Sequence, residues 1–196
     1  GGYNASIKET GDVGWLAGFA YQIPEIALKA SITYRSEVEH SVAVDESSVG
    51  TGLLTAVMNN PALAGANATG QTDITTPQSV NLDFQTGIMA NTVAFANVRW
   101  VNWKDFSIRP HAFGVASKLA GPAVGKPDGF DLVAYTDDQW SANVGVGRKL
   151  NDQWAGNVSV GWDSGAGNPV TTLGPTEGYW NLGLGAQFSP PPQTFI

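Results

Sequence analysis

Trp154 to Trp162 reads WAGNVSVGW, and the alternation within it decides the fold. Side chains of a strand point alternately to its two faces, so Trp154, Gly156, Val158, Val160 and Trp162 share one face. Gln153, Ala155, Asn157, Ser159, Gly161 and Asp163 share the other. A water-soluble sandwich also alternates, but it hides its large apolar residues mid-strand and seldom brackets an aliphatic run with tryptophan. Tryptophan at both ends matches the aromatic girdles of an outer-membrane barrel. Eight steps of about 3.4 Å on a strand tilted by about 40° rise about 20 Å, close to the apolar band of such a barrel. The same ruler recurs from Trp180 to Phe188, with Leu182, Leu184 and Ala186 between.

The neighbouring segments obey the same parity. Asn151 and Asp152 turn back into Asp137–Leu150, where Trp140, Ala142, Val144 and Val146 face out while Ser141, Asn143, Gly145 and Gly147 face in. Arg148 falls on the outward face, but beside the turn, where its side chain reaches headgroups. Upstream, Thr92–Phe106 puts Phe95 and Arg99 on one face and Ala94, Ala96, Val98 and Trp100 on the other. Arg99 is assigned inward, because arginine facing mid-bilayer lipid costs about 2 to 4 kcal/mol. Gln78–Met89 sets Val80, Leu82, Phe84 and Ile88 against Ser79, Asn81, Asp83 and Gln85. Val13–Ile23 carries Trp15, Ala17, Phe19 and Tyr21 on one face, and Pro24 and Glu25 turn it into Ile26–Val42. There Ile26, Leu28, Ala30, Ile32 and Tyr34 oppose Lys29, Arg35, Glu37 and Glu39. In lipid, such a charged face can only be the lumen. Tyr179–Ser189 is the seventh strand and stops at consecutive prolines, which cannot continue a ladder.

Connections alternate between short turns after Ile23, Met89 and Leu150 and long loops of about residues 43–77, 107–136 and 164–178. That asymmetry is the one seen between periplasmic turns and extracellular loops. The pattern predicts an all-β fold, an antiparallel up-and-down transmembrane barrel. Seven strands cannot close an even-numbered barrel, so we expect a segment of a longer protein with strands missing at both ends. Gly1–Asp12 reads as a loop or the outer end of a strand, with no secretory leader before it.

Composition agrees. The 196 residues have a net charge of -7, 24 glycines and no cysteine. Only 10 lysines and arginines argue against nucleic acid, which needs a basic face. No apolar run is long enough for a transmembrane helix, and a mean hydropathy of -0.09 is what alternating strands average to.

Inward positions of the last three strands are small or amide-bearing, so the wall does not fill its own lumen. A plug or a ligand, or the water of a general diffusion porin, must occupy it. Lys29, Arg35, Glu37, Glu39 and Arg99 could grip a headgroup or a plug, or form a lumenal salt-bridge ladder. Leu53, Leu54, Val57 and Met58 recur at helical spacing and predict a short amphipathic helix over the barrel mouth, either a landing groove for apolar solutes or a loop anchor. Trp15, Trp100, Trp140, Trp154, Trp162, Trp180 and Phe188 are the girdle candidates. His40 and His111 have no paired metal spacing, so no metal or cofactor is expected. A membrane-embedded hydrolase would have to join His40 to Ser36 or Ser41. Asp128, Asp131, Asp137 and Asp138 read as solvated acidic loops or a surface cation site.

Several stretches carry a resemblance: GDVGWLAGFAYQIP from Gly11, IALKASITYRSEVEH from Ile26, VRWVNWKDFSI from Val98, the run from Asp137 to Gly165, and GYWNLGLGAQFSP from Gly178. In order and spacing they resemble the FadL/TodX family of outer-membrane transporters for long-chain fatty acids and hydrophobic hydrocarbons. The resemblance implies a monomeric barrel of fourteen strands in a Gram-negative outer membrane, surrounded by lipid and lipopolysaccharide. It also implies a plugging N-terminal hatch and passive passage of hydrophobic small molecules, released sideways into the membrane without catalysis. The hatch and early strands have no counterpart in this chain. Relatives that take fatty acids carry a base shortly before the strand at Asp137, where this chain has Asp128, Gly129, Phe130, Asp131 and Leu132. The absence of a base there points to uncharged ligands, with Phe130 and Leu132 added to Lys29, Arg35, Glu37, Phe95 and Arg99 as lumen-lining candidates.

Overall fold

Alternating side chains need partner strands that keep both faces in register, and the computed structural model supplies them. It describes residues 2–63, 69–167, 173 and 177–190. Seven strands form one antiparallel sheet: β2 (Leu16–Ile23), β3 (Leu28–Arg35), β6 (Ser79–Met89), β7 (Thr92–Val101), β10 (Gln139–Lys149), β11 (Trp154–Asp163) and β12 (Tyr179–Phe188). Each pairs with the next one of this series, as an up-and-down barrel wall requires.

The register keeps the faces pure. Tyr21, Ala30, Phe84, Ala96, Val144, Val160 and Leu182 are successive Cα partners across the sheet. One residue along lie Gln22, Lys29, Gln85, Phe95, Gly145, Ser159 and Gly183, all on the opposite face. A one-residue slip in any pair would mix the rows, so patterning holds the register.

The short connections are built by local chemistry. Pro24–Ile26 forms one 3-10 turn, closed by Ala27 at φ 52 donating its N–H to the Pro24 carbonyl at 3.0 Å. Asn91, at φ 58, closes the β6–β7 turn, a left-handed conformation that asparagine tolerates better than most residues. At the β10–β11 turn the Asn151 side-chain oxygen accepts the N–H groups of Gln153 and Trp154, both at 2.9 Å.

At the other end of the sheet, the chain departs from the expected loops. The second predicted strand, Ile26–Val42, breaks at Ser36: its buried hydroxyl accepts the Trp15 N–H at 2.9 Å, and its own N–H bonds the Trp15 carbonyl. Beyond the break, β4 (Val38–Val49) pairs with β1 (Gly2–Ile7) and β5 (Thr69–Thr76) in a separate three-stranded sheet. The stretch 43–77 thus begins and ends in strand, at 43–49 and 69–76, where a loop is expected. It also holds α1 (Leu53–Met58), at the predicted place. The stretch 107–136 contains α2 (His111–Ala120) and a two-stranded ladder of β8 (Ser107–Ile108) and β9 (Val133–Ala134). Most of the third stretch, 164–178, lies outside the described residues.

This loop-end module has its own small core of Val57, Met58, Ala112 and Ala116, with Tyr3, Leu54 and Val115 packed against it. Its polar centre is Glu46 on β4. The Glu46 carboxylate accepts the backbone N–H groups of Ala112 at 2.6 Å and Phe113 at 2.8 Å, and the Tyr3 hydroxyl at 2.9 Å. Those two amides are among the orphan donors at a helix start, so one buried carboxylate joins β1, β4 and α2.

Candidate functional site

The polar face of the seven-stranded sheet carries most of the candidate site residues. Its defining feature is the lack of bulk on β10 to β12, where Gly145, Gly147, Gly161, Gly183 and Gly185 alternate with short polar residues. Gly145 is small for a reason. A Cβ there would overlap the Phe95 ring and lie 2.6 Å from the Val158 carbonyl oxygen, so the ring rests directly on the backbone of β10. Phe95 is the large apolar side chain of this row, set between Gln85 and Gly145.

An amide cluster neighbours it. Asp83 accepts Nδ2 of Asn97 at 2.7 Å and Nδ2 of Asn81 at 2.5 Å, and Asn97 also donates to Asn81 Oδ1 at 3.3 Å. Asn143, the Cα partner of Asn97, keeps a buried Oδ1 with no hydrogen-bond partner among the described residues. Lys29, Arg35 and Arg99 are exposed on this same face, and among the described residues none has an ion-pair partner. The lumenal salt-bridge ladder is therefore absent among these residues. Glu37 sits in the strand break and Glu39 on β4, both beyond the sheet that carries the three cations.

The remaining candidates divide between sheet and module. Trp100 and Trp140 pair at 6.5 Å, Trp162 and Trp180 at 6.4 Å, and Trp15 packs on Tyr34 at 4.8 Å, all near the loop end of the apolar face. Trp154 packs on Phe188 at 4.9 Å near the turn end. Trp100 Nε1 donates to Asp138 at 2.9 Å, as an indole at a wet boundary does. Burial alone would push the Asp138 carboxyl up, but hydrogen bonds from Asn102, Trp100 and the Lys104 amide hold it below the usual carboxylate value.

Of the helical candidates, Val57 and Met58 are buried in the module core, Leu53 is exposed and Leu54 packs at the core margin. α2 covers the inner pair, so they line no open groove in this structure. Phe130 packs edge-on against Phe113 at 5.8 Å, and the Leu132 amide bonds the Ile108 carbonyl. Both belong to the loop-end layer rather than to the seven-stranded wall. The stretch 128–132 does meet a base, one supplied from further up the chain: Arg109 Nε lies 2.7 Å from Asp131, and its Nη1 donates to the Asp128 carbonyl at 3.2 Å. An aromatic cluster missed by the sequence reading stands nearby: Trp103 contacts Phe106 at 5.3 Å and Tyr135 at 5.1 Å, and burial raises the Tyr135 hydroxyl pKa. Of the hydrolase candidates, His40 bonds Asp12 at 2.9 Å and the Ser36 hydroxyl accepts the Trp15 N–H, so these two are not joined to each other.

Residues 5–155, most of the chain, match the family described as "Outer membrane protein transport protein (OMPP1/FadL/TodX)". The chain belongs to this FadL/TodX family. Its seven-stranded sheet resembles a fragment of a FadL barrel. No curated protein matches its sequence. Among solved structures it is similar to a Pseudomonas aeruginosa FadL homologue, at 17% identity and a TM-score of 0.57, over 88% of this chain. The match spans 39% of that homologue's length.

Proposed function

We propose that the whole protein carries hydrophobic small molecules passively across the outer membrane, through a plugged barrel that releases them sideways, with neither catalysis nor energy coupling. The observation that carries this reading is the inner wall of β10 to β12: glycines and short polar residues keep the wall low, and Phe95 lies across Gly145 as an apolar contact on it. A low wall of short side chains with an aromatic ring on it suits a solute that stays apolar along its path. Leu53 and the Trp103, Phe106 and Tyr135 cluster are candidates for first capture at the loop end, in place of the buried Val57 and Met58.

The ligand class has two readings. Arg109 is paired with Asp131, which favours uncharged hydrocarbons at the loop end. The unpartnered Lys29, Arg35 and Arg99 favour a ligand with a carboxylate further in. Liposomes bearing the whole protein separate these readings and the porin alternative. Faster entry of alkylbenzenes or long-chain fatty acids than of small sugars supports the proposal, and equal entry of sugars refutes it. Selective loss of fatty-acid entry in the Arg35→Gln, Arg99→Gln double variant would single out the carboxylate reading.

A further inference from the structure

The apolar face of the sheet is not uniform. Where β7 crosses it, Ala94 and Ala96 stand low between Phe84 on β6 and Val144 and Val146 on β10, with Val160 beyond. The result is an apolar groove of about 490 Å³, within the size range of small-molecule pockets. Two residues along β10 from Val146, on the same face, stands Arg148. It is exposed, and among the described residues its side chain has no ion-pair or hydrogen-bond partner. Its neighbour across the β10–β11 pair is Gly156, where an added Cβ would find only the Gly185 carbonyl, at 3.6 Å. The guanidinium therefore has open room beside it. The Trp154–Phe188 pair lies at the same turn end and marks the level of the headgroups.

We propose that the groove and Arg148 together bind one phospholipid of the periplasmic leaflet, its phosphate on the guanidinium and one acyl chain laid over Ala94 and Ala96. The proposal rests on the reading that this face meets acyl chains. A planar guanidinium grips a phosphate through two parallel hydrogen bonds, and an arginine is tolerated on the lipid face only near the interface. The dimensions agree. Arg148 to Val144 is four residues, about 14 Å along the strand, which fits inside one leaflet's share, about 15 Å, of the hydrocarbon core. The turn end is the periplasmic end, so the lipid available there is a phospholipid.

Native mass spectrometry of the whole protein in detergent, titrated with dioleoyl phosphatidylglycerol and separately with dioleoylglycerol, tests this. The wild type retains one tightly held phosphatidylglycerol and releases the phosphate-free lipid. Arg148→Gln weakens retention about fivefold, the worth of one arginine at a headgroup, and Arg148→Lys less. Ala96→Leu fills the groove and weakens retention with Arg148 intact. Equal retention by wild type, R148Q and A96L, or equal retention of dioleoylglycerol, overturns the proposal. Tryptophan quenching by phospholipids brominated on their acyl chains separates the two levels. Quenching without any effect of the substitutions removes the site alone. No quenching removes the lipid-facing assignment and the site with it.

Discussion

Glu46→Ala removes a single side chain and should release an entire helix. Glu46 is 6% exposed, and its carboxylate accepts three donors: the Ala112 and Phe113 amides at 2.6 and 2.8 Å and the Tyr3 hydroxyl at 2.9 Å. Alanine leaves all three donors beneath the module. Each charge-assisted bond is worth about 1.5 to 3 kcal/mol, and lost helix caps cost about 0.5 to 2 kcal/mol. The donors share one acceptor and relax together, so these values do not add, and about 2 to 4 kcal/mol is expected. The core of Val57, Met58, Ala112 and Ala116 is too small to absorb that loss without local opening. Hydrogen exchange of the amides in His111–Ala120 reads it directly: protection should fall about 30- to 1000-fold. The amides of β10 and β11 should not change, since their ladder does not involve Glu46. Unchanged protection in α2, or equal loss throughout the sheet, would refute this account of the module.

Other outcomes follow from the same geometry. Burial first, then the hydrogen bond to Glu46 and its charge, raise the Tyr3 pKa above the ordinary tyrosine value of about 10. The folded module thus holds this proton more tightly than the unfolded chain does. Its stabilisation is complete below about pH 10 and declines as pH rises beyond that, so denaturation at about pH 9 and 11 should show a loss that Tyr3→Phe lacks. Gly145→Val must push away the Phe95 ring and meet the Val158 carbonyl at 2.6 Å, so the yield of refolded, heat-modifiable barrel should fall sharply, with Gly147→Ala far milder. A double-mutant cycle on Arg109 and Asp131, both partly exposed, should give a coupling of about 0.5 to 1 kcal/mol or less, read from denaturation of the module. A larger value would mean that the pair is more enclosed than its geometry indicates.

The seven-stranded wall was legible because a period of two needs no partner to be seen. Every residue from Val144 to Val146 and from Val158 to Val160 declares its face through chemistry alone. Arg99 was placed by the same logic, from the cost of charge in lipid. What escaped is what depends on distant partners. The break at Ser36 is made by Trp15, and β4 is ordered by β1 and β5, whose Gly, Thr and Asn composition reads as loop. α2 lies between Pro110 and Gly121 and buries a face of small residues, Ala112, Gly114, Ala116 and Ser117; its start is held by Glu46, far away in sequence. Arg109 escapes for a similar reason. No base stands next to Asp131 in sequence, and the fold brings one from the other side of the helix.

The central claim is that the two faces of the sheet meet two different solvents. In a cysteine-free background, single cysteine substitutions carry spin labels at Val144, Val158 and Val160 on one face and at Asn143, Asn157 and Ser159 on the other. In the whole protein reconstituted into lipid, relaxation by oxygen and by a water-soluble nickel complex distinguishes hydrocarbon from water. The account predicts that the valine positions respond to oxygen and the polar positions do not, being reached instead by the nickel reagent or shielded from both. A valine row reached by nickel, or polar positions as open to oxygen as the valines, would contradict it.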